Sequence, residues 1–265
     1  MRKTYGILVF VMLLCIGCQW QLKPNDDDDA ASVSVARYDR IESLYLTTGD
    51  YSALQQMNTY FPMQTRTLIE DVLHIGKVDD PETNSRFLRF FQDSTLQRML
   101  VDVQHEFANM DDINEDFSSA FKRLQEEMPA LEVPQIYAQI GSFDQSIIVA
   151  DGSLGISLDK YLGSDYPFYQ QNYSDDQRRM MKRSMIVPDC MGFYLLSLYP
   201  MPSDVVNSQE GRDRHISKIQ WVVNEVMGRE IFDNDLVSAV DHYMKNNQGL
   251  SFDDMLRSNS KTIFK

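Results

Sequence analysis

From Tyr38 to Met128 the apolar residues recur at intervals of three and four, the spacing that gives an α-helix one apolar face. Tyr38, Ile41 and Tyr45 share such a face, and so do Tyr51, Leu54 and Met57, with Gly49-Asp50 between the two runs. A third run, Leu68, Val72 and Ile75, is expected to end in a left-handed cap at Gly76. Phe87, Phe90 and Phe91 make an aromatic stripe, and Leu96, Met99, Leu100, Val103 and Phe107 make the longest one. Ile113, Phe117, Phe121, Leu124 and Met128 follow and stop at Pro129. Stripes of this kind are read as core.

The period then changes to two. Ile136, Ala138 and Ile140 alternate, Ile147 to Val149 is β-branched, and Asp151-Gly152 is a tight-hairpin dipeptide before Leu154, Ile156 and Leu158. Helices resume at Ser174, which with Gln177 has the form of a capping box. Pro188, lacking an amide donor, is expected to kink or break that helix. Further stripes run through Ile216, Ile219, Val223 and Met227, and through Leu236, Val237, Val240, Tyr243 and Met244. A short last helix starts at Ser251. The pattern predicts an α+β fold, mainly α-helical, in a single domain over residues 37–265, with a small three-stranded sheet at about residues 134–158.

The first residues change the setting. Arg2 and Lys3 precede an apolar run from Ile7 to Ile16, the order of a secretory signal over residues 1–17, and the run is shorter than the roughly 20 residues that span a bilayer. Cys15-Ile16-Gly17-Cys18 looks like a lipobox, with Cys15 where Leu is commoner. Cys18 is then the expected lipid attachment site, and several acyl chains on it would anchor the protein stably to a membrane. Residues 18–36, including Asp26 to Asp29, read as an acidic tether. Acidic residues just behind a lipidated cysteine also resemble the surface-export signals of Bacteroidetes lipoproteins.

A formal charge of −14 argues against nucleic acid as a charge-driven partner. With Cys15 removed and Cys18 acylated, Cys190 would be the one cysteine left, so stability is expected to rest on the core and not on a disulfide.

Candidate chemistry is sparse. No Gly-rich phosphate loop, Gly-x-Ser-x-Gly elbow or paired-cysteine zinc motif occurs. His105-Glu106-Phe107-Ala108-Asn109 has Asn where a zinc peptidase needs its second His, so His105 and Glu106 are read as an exposed helix face. Asp111-Asp112 and Asp253-Asp254 lack the alternating ligands of a calcium loop and suit helix N-termini. Cys190, in a Met- and Phe-rich run, is read as a buried hydrophobe. No catalytic residue, metal or cofactor is expected.

Four segments carry a likeness. Val133-Pro134-Gln135-Ile136-Tyr137, Gly141-Ser142-Phe143, Leu154 to Gly163 with its Leu158-Asp159-Lys160-Tyr161-Leu162-Gly163 core, and Tyr166-Pro167-Phe168-Tyr169 resemble the GldB family of Bacteroidetes gliding-motility lipoproteins. Arg37-Tyr38-Asp39, Ile75-Gly76, Phe121-Lys122-Arg123-Leu124 and Pro129 fit the same spacing, so the resemblance runs from about Arg37 to Pro200. The family's small sheet followed by a buried helix is similar to a zinc-peptidase scaffold, whereas here that region reads Met185 to Gly192 without a ligand pair. The resemblance therefore implies a zincin-like fold without zinc chemistry. It implies a non-catalytic outer-membrane lipoprotein, on the periplasmic or surface face, acting through other envelope proteins.

Within the likeness, Asp159 capping the strand exit, Tyr161 packing and Gly163 turning the chain is one reading. The other places Asp159, Tyr161 and Gly163 along an interaction groove. A metal-dependent hydrolase and a glycan-binding lipoprotein stacking sugars on Trp221 are the rival functions.

Overall fold

The computed structural model describes residues 32–150, 152–258 and 260–264. The signal, Cys18 and most of the expected tether lie outside the described residues.

Among the described residues, six helices precede the sheet: α1 (Tyr38–Thr48), α2 (Tyr51–Tyr60), α3 (Pro62–Arg66, continued by a π turn over Thr67–Val72), α4 (Thr83–Phe90), α5 (Ser94–Glu106) and α6 (Asp111–Glu127). Local chemistry sets their ends. Gly49 is left-handed at φ +69° and returns its N–H to Tyr45 O, while Asp50 Oδ1 accepts from Ser52 N at 2.8 Å to start α2. Asp93 caps α5 in the same way.

The apolar stripes are mostly buried, with instructive departures. Tyr51 is exposed because it is the first residue of α2, and Ala53, Leu54 and Met57 form the inward face. Phe90 is also partly exposed while Phe87 and Phe91 are buried. The left-handed residue after the third helical run is His74 at φ +51°, not Gly76. Gly76, at φ +153°, a conformation that side-chain-bearing residues rarely adopt, also permits a close approach, since a Cβ there would lie 2.7 Å from Thr83 Oγ1.

The three strands are β1 (Gln135–Gln139), β2 (Ile147–Ala150) and β3 (Ser153–Ser157), in the order β1-β3-β2. β2 and β3 form an antiparallel hairpin whose turn includes Gly152 at φ +74°. β3 also pairs in parallel with β1, Tyr137 standing beside Gly155. The Tyr137 ring crosses Gly155 so closely that a Cβ would sit 2.5 Å from its Oη, which explains a glycine in a central strand.

The far edge of β1 is partly covered by the segment before α1. Ala36 N donates to Ile136 O and Ala36 O accepts from Ala138 N, at 2.8 and 2.9 Å. Val33 N bonds Ser118 Oγ and Val35 N bonds Asn114 Oδ1, both at 2.9 Å, and both valines are buried. Val33 and Val35 are thus packed, inside the stretch expected to be tether to residue 36. The two alternating valines, hidden among small polar residues in the sequence, account for the difference.

After the sheet come α7 (Pro167–Asn172), α8 (Asp175–Met180), α9 (Ile186–Leu198), α10 (Ser203–Val206), α11 (Gln209–Met227), α12 (Asp235–Asn246) and α13 (Phe252–Arg257). The Ser174–Gln177 capping box starts α8. The helix breaks over Met181 to Met185, ahead of Pro188, which sits in the first turn of α9 where an amide donor is not needed. α9 lies against β2 and β3, and α11 packs on α6, α9 and α12.

Candidate functional site

The Leu158–Gly163 stretch forms a 3₁₀ turn over Leu158–Lys160 directly after β3. The Asp159 carboxylate is fully buried. Its Oδ1 accepts from Gly141 N at 2.6 Å and its Oδ2 from Phe143 N at 2.5 Å. One residue earlier, Ile140 N donates to Oε2 of Glu42, a fully buried acid on α1, at 2.9 Å. Two buried carboxylates from distant parts of the chain therefore hold the amides leaving β1. Burial pushes both acids up, and the amide bonds they accept oppose it.

This clamp supports unusual backbone. Ser142 and Phe143 are left-handed at φ +55° and +67°, a conformation that carries a cost of about 1–3 kcal/mol per non-glycine residue. Phe143 stacks on Phe168 with ring centroids 4.0 Å apart, and Tyr166, Tyr169 and Tyr173 pack around them. The Tyr169 hydroxyl donates to Asp159 O and accepts from Leu162 N. Lys160 Nζ donates to Phe143 O at 3.1 Å and lies over the Tyr173 ring. The Gly141-Ser142-Phe143, Leu158–Gly163 and Tyr166–Tyr169 segments thus come together in one knot. Asp159 faces into it and does not line a groove.

Tyr161 and Gly163 line a cavity of about 540 Å³. Gly163 has φ +109° and donates to Met181 O at 3.0 Å. The Tyr161 side chain is nearly all buried, and its Oη donates to Asp189 Oδ2 at 2.8 Å. Removal from water pushes the Asp189 carboxyl up to about 7, against the opposing hydrogen bond from Tyr161. Asp189 and Glu42 were not singled out in the sequence; an acid inside an apolar run was the available signal for Asp189. At the cavity mouth Arg183 makes a two-bond contact to Asp112, at 2.9 and 2.6 Å, and Arg229 pairs with Asp116 at 3.0 Å. The Arg183 bonds hold the Asp112 carboxyl below its ordinary value.

A larger groove, of about 760 Å³, opens between the loop after α6, the β2–β3 hairpin and the end of α9. Met128, Leu131, Val133, Val149 and Leu198 line it, and Val149 and Leu198 are 39% and 44% exposed. Charged lining comes from Glu127, Glu132, Asp253 and Arg257, the last two paired at 2.9 Å.

His105 and Glu106 are exposed on α5, and Cys190 is fully buried with its thiol pushed up by burial. Among the described residues, no three His, Cys, Asp or Glu side chains are grouped to hold a metal. Trp221 is buried against Phe252 and presents no open face for a sugar.

The knot joins three of the four segments that carry the likeness, and a family model agrees with them: that of gliding motility protein GldB matches residues 19–208. The chain belongs to the GldB family of lipoproteins. The GldB match takes in the sheet, the Asp159 knot and α9, and it stops just before α11. No curated protein and no solved structure matches the chain. No helix among the described residues is long and apolar enough to cross a membrane.

Proposed function

We propose that this gliding-motility-associated lipoprotein is non-catalytic, is held at the outer membrane through acyl chains on Cys18, and acts by engaging a protein partner in the apolar groove. The groove itself carries the reading. Leu198 and Val149 leave apolar surface in water that a partner would cover. Glu127 and Glu132, exposed and outside the described ion pairs, give the rim an acidic excess. A segment with apolar anchors flanked by Lys or Arg fits both features.

A binding role also suits the ionisable groups of the family-matching stretch. Asp159 holds two backbone amides, Tyr161 holds Asp189, and Arg183 holds Asp112.

A photo-reactive residue at position 198 should form discrete protein adducts in living cells, and Val149→Asp should abolish them. The same probe at exposed Val101, on α5, is the control. Indistinguishable adducts from the two positions would refute the groove. One stoichiometric zinc per purified chain, or metal-dependent peptide hydrolysis, would refute the non-catalytic role.

A further inference from the structure

A second cavity, of about 310 Å³, lies between the first half of α11 and the chain following α13. Arg214, His215 and Lys218 line it, their spacing placing them along one side of α11. Lys218 is 4% exposed. Its Nζ donates to Leu256 O at 2.7 Å and Ser258 O at 2.9 Å. Those carbonyls belong to the end of α13, so capping that helix explains two of the donors. An ammonium has three. No carboxylate pairs with Lys218 among the described residues, and loss of hydration pushes its ammonium down to about 8.

The neighbours add to the imbalance. Arg214 pairs with Glu210 at 2.5 Å, yet its Nε is buried without a partner. Its guanidinium lies over the Phe264 ring, with Cζ 5.4 Å from the centroid. His215 Nε2 is 2.8 Å from Tyr199 O, which assigns the proton of the neutral ring to Nε2. Burial first, then the Lys218 charge, keeps its imidazole below the ordinary value. Glu210 is the one carboxylate lining the cavity among the described residues, and its side chain is 70% exposed. A positive pocket is thus built into a chain whose formal charge is −14.

We infer that this cavity is a binding site for a small ligand carrying a phosphate group, held by Lys218 and Arg214, with His215 able to donate to it through Nδ1 once the anion has drawn a second proton onto the ring. An anion supplies the counter-charge that a buried ammonium lacks and accepts from the free Arg214 Nε. The volume admits a phosphate with a small organic group attached. The three residues lie beyond the family match, so the inference stands apart from the groove and its partner.

The test is titration of the full chain with inorganic phosphate and, separately, glycerol phosphate, at ionic strength held constant with chloride. Calorimetry reads affinity, and the His215 imidazole resonance, assigned by its loss in His215→Asn, reads the local charge. The expected result is saturable one-site binding that raises the His215 titration midpoint. Tighter binding of glycerol phosphate than of phosphate would assign an organic phosphate, and equal binding free phosphate; either supports the site. Lys218→Met should abolish binding. Because that change removes two internal bonds and can unfold the chain, Arg214→Gln is the second variant, with affinity falling roughly tenfold and the fold unchanged by circular dichroism. A His215 response that chloride alone reproduces is screening and overturns the site. An affinity unchanged in Arg214→Gln does the same.

Discussion

The Tyr161 hydroxyl donates a 2.8 Å hydrogen bond to Oδ2 of Asp189, joining the turn after β3 to the first turn of α9. The acid on the receiving end sits in an apolar run with its carboxyl pushed up to about 7, so this link is tied to pH. An unfolded Asp titrates near 4. Below about pH 4 the side chain is neutral in both states. Between about 4 and about 7 the folded chain keeps a proton that the unfolded chain has released, so stability falls as pH rises; above that window the loss is constant. Glu42 and Asp159, also raised by burial, act in the same direction. Asp189→Asn should flatten this slope. Denaturant melts from pH 4 to 8 check it, and a variant slope equal to the parent's would show that Asp189 does not carry the dependence.

Asp159→Ala removes the acceptors of two buried amides and leaves the left-handed Ser142-Phe143 backbone unsupported. A loss of about 3 kcal/mol is expected, read from the denaturation midpoint. An unchanged melting temperature together with lost activity in cells would instead favour a direct interaction role for Asp159.

Gly155→Ala puts a methyl group 2.5 Å from the Tyr137 hydroxyl in the middle of the sheet. The cost should be about 1–3 kcal/mol. Placed in a double-mutant cycle with Tyr137→Ala, most of that penalty should disappear, because the clash needs both partners. Additive effects would mean that the ring is not what excludes a side chain.

Cys18→Ala should abolish incorporation of labelled fatty acid and move the chain from the membrane to the soluble fraction. A mature product with an unmodified N-terminus at another residue, seen by mass spectrometry, would remove the anchor.

Much of the architecture was legible along the chain because helix and strand signals are local. The three- and four-residue spacing marked α5 and α6, the alternation marked the sheet, and the Ser174–Gln177 pair marked the start of α8. Three of the four segments that carried the GldB likeness meet in one knot. Tertiary structure decided what those side chains do. Asp159 is an inward clamp because Gly141 and Phe143 bring their amides to it across the sheet's end, and no local pattern records that approach. Pro188 breaks nothing because the chain had already turned at Met181, and Val33 packs because Ser118, far along the sequence, offers its amide an acceptor. The charges of Glu42, Asp189 and Lys218 depend on burial, which follows from how distant helices close over them. Periodicity determines which face of an element turns inward; which ionisable group is stranded there, and what it meets, is decided when the elements assemble.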